Sequence, residues 1–241
     1  MNELRGQTVV VIGGSSGIGL ETARQARAAG AELVLAARTP ERLESVAREL
    51  QPRQTAAFDA ADLKQLEQFF KDLPGQIDHV MLTAGGPAYI PLDSMSLDDA
   101  RRHFDERLSV TLGTALFSRG KIRPGGSLLF IGGTGARRPG VGLTIATTLT
   151  AALPALAANL AVELAPTRVN VIAPGFVDTP LSATLLGDQI DARREQLRES
   201  LPIRRVVGPS DVAALALQVM TNGAITGATL DIDGGQQLVA R

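Results

Sequence analysis

The sequence predicts a doubly wound α/β fold, in which helices cover both faces of a parallel sheet. Short apolar runs rich in Val, Ile and Leu alternate with longer stretches of helical character along the chain. The 241 residues contain no repeat, no low-complexity linker and no break in composition. We therefore expect one domain over residues 1–241, because this length suits one large α/β unit.

Six apolar runs have the length and composition of buried strands, and a seventh is weaker. The predicted strands are Thr8–Ile12, Glu32–Ala36, His79–Thr83, Ser127–Ile131, Arg168–Ile172 and Thr229–Ile232, with the weaker one near Thr55–Phe58. The predicted helices are Gly17–Ala29, Pro40–Leu50, Leu63–Asp72, Leu97–Ser118, Thr148–Leu164 and Ser210–Thr221. Thr39 and Ser210 each suit the N-cap of the helix that starts there.

The composition excludes several classes of function. The formal net charge is -1 and the isoelectric point is about 6.2, whereas nucleic-acid and membrane-surface binders need a basic field. No cysteine is present, so disulfides and thiolate chemistry are excluded. The two histidines, His79 and His103, are far apart in sequence, and we expect no metal site. The apolar stretch near the N-terminus is too short for a signal peptide, which predicts a cytoplasmic protein.

The first strand, turn and helix carry the clearest functional signal. Residues 9–30 read VVVIGGSSGIGLETARQARAAG, an apolar run followed by a glycine-rich turn and a helix. Such a turn lets the backbone approach a pyrophosphate, and free N–H groups at the helix start point at the anion. This order of elements favours a dinucleotide-binding, Rossmann-type unit over an ordinary tight turn.

The turn Gly13-Gly14-Ser15-Ser16-Gly17-Ile18-Gly19 resembles that of the short-chain dehydrogenase/reductase family, although the family usually has threonine at the position of Gly13. The resemblance extends over essentially the whole chain. Further matches are Asp59, Thr83-Ala84-Gly85, Arg168–Gly175, Val177–Pro180 and Asp233-Gly234-Gly235. By this resemblance, the cofactor-binding residues are Gly13, Ser15, Ser16, Gly17, Ile18, Gly19, Arg38, Thr39, Asp59, Ala60, Thr83, Ala84, Gly85, Pro174, Gly175, Val177 and Thr179.

The end of the second strand distinguishes the two nicotinamide cofactors. NAD-binding turns place a carboxylate there, which accepts hydrogen bonds from the ribose and would repel a 2′-phosphate. This sequence has Ala36-Ala37-Arg38-Thr39, with no carboxylate and one arginine that can donate to a phosphate. Arg38 as a solvated surface residue is the alternative. We predict that the cofactor is NADP(H).

The resemblance also locates the usual catalytic tetrad of Asn, Ser, Tyr and Lys, and this chain lacks it. The family spacing places the asparagine on Val110 (or on Ser109 if the register shifts by one), the serine on Gly133, the tyrosine on Ala146 and the lysine on Thr150. Residues 141–161 contain no tyrosine and no lysine, so a small shift in register does not restore the motif. The usual proton transfer at the substrate oxygen is therefore excluded.

Two hydroxyl groups are candidate substitutes for the missing acid. Thr134 follows the serine position, and Tyr89 is the only tyrosine, in a loop expected near the crevice. Tyr89 also suits a simple loop anchor, and His103 suits a charged helix surface.

Two arginines follow the fifth predicted strand. Arg137 and Arg138 suit either an anionic substrate or a solvated pair. His79 suits a strand end.

Two functions remain open. The first is an atypical NADPH-dependent oxidoreductase acting on a carbonyl or alcohol, with the nicotinamide as the reactive group. The second is an NADP(H)-binding protein without hydride transfer, such as a redox-ratio sensor or an assembly partner, because fold alone does not settle function. Partners are then a small-molecule substrate or none, with no nucleic acid and no membrane.

Three structural expectations complete the prediction. Residues 181–201 follow the nicotinamide-side loop and, by the resemblance, form a substrate lid. The resemblance also implies a homodimer or homotetramer, paired through the helices Leu97–Ser118 and Thr148–Leu164. Pro154 lies inside the second of these, so we expect that helix to start late or to bend, which would free the Thr150 carbonyl to hold a ribose hydroxyl.

Overall fold

The computed structural model describes residues 3–239. Seven strands form one parallel sheet in the order β3-β2-β1-β4-β5-β6-β7, which confirms the doubly wound fold. The strands are β1 Thr8–Ile12, β2 Glu32–Ala37, β3 Gln54–Ala57, β4 Ile77–Leu82, β5 Ile122–Ile131, β6 Arg168–Pro174 and β7 Thr229–Ile232. The order reverses between β1 and β4, where open α/β sheets form a crevice at their carboxyl edge.

Within residues 3–239, eight α-helices connect or follow these strands. They are α1 Gly17–Ala28, α2 Pro40–Leu50, α3 Leu63–Lys71, α4 Leu97–Ser118, α5 Thr144–Glu163, α6 Pro180–Leu186, α7 Ile190–Ser200 and α8 Pro209–Thr221. Helices α6 and α7 fill the segment that was predicted as a lid. A short 3₁₀ helix, Thr134–Arg137, follows β5.

Alternation along the strands produces two cores. In β1, Val10 and Ile12 face a cluster under α3, α4 and α5, whereas Val9 and Val11 face a cluster under α1, α2 and α8. All of the β1 residues are buried, as expected for a parallel strand covered on both faces.

Several predicted boundaries are wrong by a few residues. β4 begins at Ile77, so His79 lies within the strand and not at its end. β5 begins at Ile122, ahead of the predicted Ser127. Ser210 is not an N-cap, because α8 begins at Pro209 and the Asp211 carboxylate accepts the N–H of Gly208 at 2.9 Å.

Helix α5 contradicts the expected late start. It begins at Thr144, four residues before the predicted start, and continues through Pro154. Proline leaves the Thr150 carbonyl without its usual N–H partner, yet Leu153, Ala157 and Leu160 are buried against the sheet. Tertiary packing therefore maintains the helix, and a bend at Pro154 stays a prediction.

Within residues 3–239, α5 is also the one helix that is long and apolar enough to span a membrane, by length and composition only. Its mean hydropathy is 1.6 over such a window, of which 28% is buried. Its inner side packs against β6 and α4.

Buried polar side chains close the amino edge of the sheet. Arg168 donates to the carbonyl oxygens of five residues, at 2.6 to 3.2 Å, which are Gly125, Val219, Met220, Asn222 and Ile225. His79 contacts the Ser127 hydroxyl through Nδ1 at 2.8 Å and the Gln7 amide oxygen through Nε2 at 2.7 Å. These bonds tie β1, β4, β5, β6 and the end of α8 together.

Candidate functional site

A cavity of about 1040 Å³ opens at the carboxyl edge of the sheet. Its wall is formed where β1, β4, β5 and β6 end, and by residues of α5, α6 and α7. The predicted cofactor residues on this wall are Gly13, Ser16, Gly17, Ile18, Gly19, Thr83, Gly85, Pro174, Gly175, Val177 and Thr179. The structure therefore brings together residues as far apart in sequence as Gly13 and Thr179, as parallel-sheet topology requires.

The glycine-rich turn packs too closely for side chains. A Cβ atom on Gly19 would lie 2.6 Å from the Thr83 hydroxyl and closer still to the carbonyl oxygen of Gly13. A Cβ atom on Gly13, whose φ is +98°, would lie 2.8 Å from the Ala84 nitrogen. Thr83 in turn donates to the Ile12 carbonyl at 3.1 Å. The turn is thus held against the end of β4, with its backbone open to the cavity.

The start of α1 offers donors to an anion. Ser16 is the N-cap residue, but its side chain makes no capping bond. The Leu20 N–H donates the first hydrogen bond of the helix, to the Ser16 carbonyl oxygen at 3.2 Å. The preceding N–H groups of the first turn have no intrahelical acceptor, as at any helix start, and residues 16–19 line the cavity.

The end of β2 carries the predicted determinant of cofactor choice. Arg38 follows β2 directly and is exposed, and within residues 3–239 it makes no hydrogen bond or ion pair. Thr39 is the N-cap residue of α2. Asp59, after β3, is exposed and accepts the N–H of Ala61 at 3.0 Å. Arg38, Thr39, Asp59, Ala60, Ser15 and Ala84 do not line the cavity itself, although β1, β2 and β3 are neighbours in the sheet.

Three of the four positions predicted for the tetrad line the cavity, and the fourth does not. Gly133, Ala146 and Thr150 line the cavity, with Ala146 and Thr150 one helical turn apart on α5. The Thr150 hydroxyl donates to the Ala146 carbonyl at 2.8 Å, so it is engaged within its own helix. Val110 is buried in the core and does not reach the cavity wall.

The two candidate substitutes for the acid both line the cavity. Thr134 begins the 3₁₀ helix after β5 and is buried. Tyr89 is 53% exposed, and partial burial raises the pKa of its phenol, which makes it a weaker acid. The family's tyrosine instead has an adjacent lysine to lower its pKa. The proton-donating role of either residue stays a prediction.

Arg107 is a site residue that sequence reasoning missed. Its guanidinium lies under the cavity and donates to the Ala84 carbonyl at 2.8 Å and to the Ile131 carbonyl at 2.6 Å. These oxygens stand at the ends of β4 and β5. Burial lowers the pKa of this guanidinium, although an arginine stays charged. In sequence it is one of several charged residues on α4, and nothing in the pattern separates it from them.

The two arginines after β5, Arg137 and Arg138, lie in different surroundings. Arg137 forms an ion pair with Asp231 at 2.6 Å and is half-exposed. Arg138 lines the cavity and donates to the backbone carbonyl of Gln236. Gln236 also accepts the N–H of Phe176 through its side chain at 2.8 Å. The C-terminal segment thereby supports the loop after β6.

The segment of residues 181–201, which the sequence predicts to be a lid, is tied to the same loop. Arg194 of α7 makes two bonds to the Asp178 carboxylate, at 2.7 and 3.0 Å, and one to Asp191 at 2.8 Å. Arg193, the residue directly before Arg194, lines the cavity, and its guanidinium lies 5.9 Å from the centre of the Phe176 ring. Both side chains place α7 over the crevice.

The fold and this edge of the sheet define a dinucleotide-binding α/β protein, and comparison with known proteins gives the family. A family model described as enoyl-(acyl carrier protein) reductase matches residues 12–237. The short-chain dehydrogenase/reductase malC of Malbranchea aurantiaca is 30% identical over 253 residues, which cover 98% of this chain and 96% of that protein. Dehydrogenase/reductase SDR family member 4 of Sus scrofa is 32% identical over 249 residues, covering 96% and 88%. The chain belongs to the short-chain dehydrogenase/reductase family, a family of oxidoreductases, as the motifs predicted.

Solved structures agree with this assignment. The MalC reductase/Diels-Alderase from Malbranchea aurantiaca superposes with a TM-score of 0.90 at 29% identity, covering 98% of both chains. A small-chain dehydrogenase in complex with NADPH superposes with a TM-score of 0.82 at 27% identity, covering 96% of this chain and 99% of that one. The family binds nicotinamide cofactors, and one structural neighbour holds NADPH.

Proposed function

We propose that this protein binds NADP(H) and is an atypical oxidoreductase that interconverts a carbonyl compound and an alcohol. One observation carries the proposal: the close-packed glycine turn and the altered tetrad positions open into a single cavity. The residues of the turn fit the cofactor. A Cβ atom at Gly13 or Gly19 would collide with neighbouring atoms, so only glycine allows the close packing that this turn shows. In dinucleotide-binding turns, such glycines let the protein backbone approach the pyrophosphate. When bound, NADP(H) supplies or accepts the hydride.

The chain's own residues have distinct roles in this proposal. The turn at residues 13–19 holds the pyrophosphate, Arg38 holds the 2′-phosphate, and residues 174–179 hold the nicotinamide side. Arg107 supplies a fixed positive charge beneath the crevice, through contacts with the ends of β4 and β5. With Ala146 and Thr150 in place of tyrosine and lysine, proton transfer has to come from water, Thr134 or Tyr89, so turnover is slow.

The second candidate is an NADP(H)-binding protein without hydride transfer, acting as a sensor or assembly partner. The same lack of a conventional acid on α5 favours it. Titration of NADPH, followed by NADPH oxidation against a broad panel of carbonyl compounds, separates the two. Tight binding with no turnover of any compound supports the sensor.

Arg38 provides the test of cofactor choice. We expect wild-type protein to prefer NADPH over NADH, and Arg38→Ala to lose about 1.5–3 kcal/mol of that preference, the size of a charge-assisted hydrogen bond. Thermal shift and calorimetric titration with both cofactors measure it. Arg48→Ala is the matched control, because Arg48 is exposed in the last turn of the same flanking helix, α2. Equal responses of the wild type to both cofactors would overturn the NADP(H) assignment.

We further propose a homodimer or homotetramer paired through α4 and α5. Large apolar side chains are exposed on these helices, with Leu116 at 62% and Val162 at 78%. An exposed apolar face of this kind suits a protein interface. Light scattering should give twice or four times 25.2 kDa for the wild type. Val162→Glu should shift the particle toward a monomer, whereas an unchanged mass for both Val162→Glu and Leu116→Glu would contradict the pairing. The predicted cytoplasmic location stays a prediction.

A further inference from the structure

Strands β4 and β5 part from each other where they reach the cavity. Their paired register ends at Leu82 and Phe130. Beyond this point Ile131 is still paired with β6, whereas the Ala84 N–H donates to the end of β1 at 3.1 Å. Each strand end is therefore held by a different neighbour, and the backbone ladder between β4 and β5 does not fix their separation here.

One guanidinium spans the two strand ends. Arg107 donates from Nη1 to the Ala84 carbonyl at 2.8 Å and from Nη2 to the Ile131 carbonyl at 2.6 Å. Both nitrogens belong to one rigid plane, so the two acceptors are held at a fixed separation. Gly85 permits this contact, because its φ is +91° and a Cβ atom there would lie 2.8 Å from Nη1 of Arg107.

The loops that leave these strand ends both line the cavity. They contribute Gly85, Gly86 and Tyr89 after β4, and Gly132, Gly133 and Thr134 after β5. Glycine leaves a backbone conformationally free, so such loops depend on outside contacts for their position. Farther out, the Ile90 N–H donates to the Gly142 carbonyl at 2.9 Å. The two loops are thus linked at their start by Arg107 and farther along by a backbone bond, and each carries one of the candidate acids.

The sheet order relates these loops to the proposed cofactor site. In the order β3-β2-β1-β4-β5-β6-β7, the glycine turn follows β1 and Arg38 follows β2. With the 2′-phosphate on the β2 side and the pyrophosphate at the turn, the nicotinamide half extends to the other side of β1. The ends of β4 and β5, which Arg107 joins, lie on that side.

Arg107 also lies close to a position predicted for the tetrad. Val110, predicted for the asparagine, is buried and does not line the cavity. Arg107 is three residues earlier on α4, about one helical turn away, and does line it. Helix α4 therefore still brings a polar side chain to the site, but from a different turn and with two donors engaged at once.

We propose that Arg107 is a positioning residue, which sets the separation of the loops after β4 and β5 and so holds the nicotinamide half of the cofactor against the loop that carries Thr134. This inference rests on the proposed function and assigns to Arg107 a geometric role in addition to its charge. The role requires a bridge between two acceptors, which a charge alone does not supply.

Two ligands separate this role from a general effect on the fold. NADPH contains the nicotinamide half, whereas adenosine 2′,5′-bisphosphate carries the adenosine and its 2′-phosphate without it. By calorimetric titration, Arg107→Met should weaken NADPH binding by about tenfold or more, which corresponds to about 1.4 kcal/mol. Binding of the bisphosphate should change by less than about twofold, because Arg107 lies away from the adenosine side. Equal weakening of both ligands, or unchanged NADPH binding, overturns the proposal.

Two further variants distinguish the bridge from the charge. Arg107→Lys keeps the charge, but its single nitrogen does not hold two acceptors at a fixed separation, so it should lose most of the NADPH affinity that Arg107→Met loses. Wild-type affinity in Arg107→Lys would mean that charge alone suffices, which also overturns the proposal. Arg101→Met is the matched control, because Arg101 is exposed on the same helix and pairs with Asp98 at 3.1 Å. It should bind both ligands as the wild type does.

Hydrogen exchange of the cofactor-free protein tests the bridge directly. In Arg107→Met, and in Arg107→Lys if the first variant does not fold, amides in residues 84–90 and 131–136 should exchange about threefold faster or more, with α8 unchanged. Unchanged exchange in both loops overturns the proposal. This measurement also separates the two failures: if the wild type does not bind NADPH, the proposed function is rejected, and faster exchange in both loops still supports Arg107 as the residue that sets their separation.

Discussion

The two edges of the sheet hold polar side chains in different ways. At the amino edge, Arg168 donates to five carbonyl oxygens and both ring nitrogens of His79 have partners. At the carboxyl edge, Arg107 uses two of its five donors, and Arg38 has no partner within residues 3–239. Arginine side chains thus make many hydrogen bonds to the protein at the amino edge and few at the carboxyl edge.

The difference separates structural from functional polar groups. Burying a charged or polar group is unfavourable unless hydrogen bonds compensate, and at the amino edge they do. Arg168 there caps the last turn of α8 and fixes it to β6. At the carboxyl edge, Arg107 and Arg38 retain donors that no other described residue engages and that are open to a ligand or to water. Unused hydrogen-bonding capacity, more than residue type, marks the candidate site.

The largest expected effect concerns the position on α5, Ala146, where the family resemblance predicts the catalytic tyrosine. Ala146→Tyr combined with Thr150→Lys places both groups on the cavity wall, one helical turn apart. General acid catalysis is typically worth about 10²–10⁴-fold, so the double variant should turn over a ketone such as 4-phenyl-2-butanone faster than wild type by a factor approaching that range. NADPH oxidation in single-turnover experiments measures the step.

The matched control moves the lysine to another face of the helix. Ala146→Tyr with Thr148→Lys keeps the same composition, but Thr148 is exposed and does not line the cavity. This control should gain little. Rapid turnover by the wild type would mean that a relocated acid is present, and loss of that turnover in Tyr89→Phe would identify it.

The next effect tests the closed amino edge. Burial lowers the pKa of His79 to about 4, from an ordinary value of 6.5, with the nearby Arg168 charge adding to the effect. The folded state therefore favours the neutral ring, and its contribution to stability is complete above pH 6.5. That contribution is lost as the pH falls toward 4, by about 2 kcal/mol between pH 7 and 5.

Urea unfolding at several pH values measures this dependence. The comparison is with His79→Gln, which removes the titrating group but keeps a polar side chain. The variant should show a shallower loss of unfolding free energy between pH 7 and 5 than the wild type. Identical slopes for the two proteins would show that His79 titrates alike in folded and unfolded chains.

The sheet and the glycine turn could be predicted because they depend on local patterns. Apolar runs and glycine spacing predicted the succession of β1, α1 and β2 along the chain and the residues of the turn between β1 and α1. Positions set by tertiary contacts could not be found in this way. Arg107 becomes a site residue only because α4 crosses the ends of β4 and β5, and no periodicity in its helix indicates that crossing.

In helix α5, tertiary packing overrides a local rule. Proline disfavours a helix interior by about 3 kcal/mol in isolation, which predicted a late start. Leu153, Ala157 and Leu160 are buried around Pro154, and the helix extends from Thr144. Burial of several aliphatic side chains outweighs one lost hydrogen bond, at about 1.5–3 kcal/mol for a fully buried leucine.

The smallest expected effect concerns the ion pair that holds helix α7 against the carboxyl edge of the sheet. Arg194 anchors α7 to Asp178, which lies in the loop after β6, and both side chains are about one-third exposed. The two carboxylates around it raise the pKa of Arg194, so the pair persists at any physiological pH. Solvent-exposed ion pairs contribute little to stability, so Arg194→Gln should speed amide exchange in α7 by only roughly two- to fivefold.

Hydrogen exchange followed by mass spectrometry measures this, with Arg198→Gln as the control. Arg198 pairs with Glu195 inside the same helix, at 2.8 Å, and does not tether α7 to the loop after β6. The control should therefore leave α7 exchange close to the wild-type rate. If α7 is a lid, NADPH should slow its exchange in the wild type and slow it less in Arg194→Gln, because the ion pair transmits closure from the loop to the helix. Equal NADPH protection in all three proteins would mean that α7 is covered by packing alone and that residues 181–201 do not act as a lid.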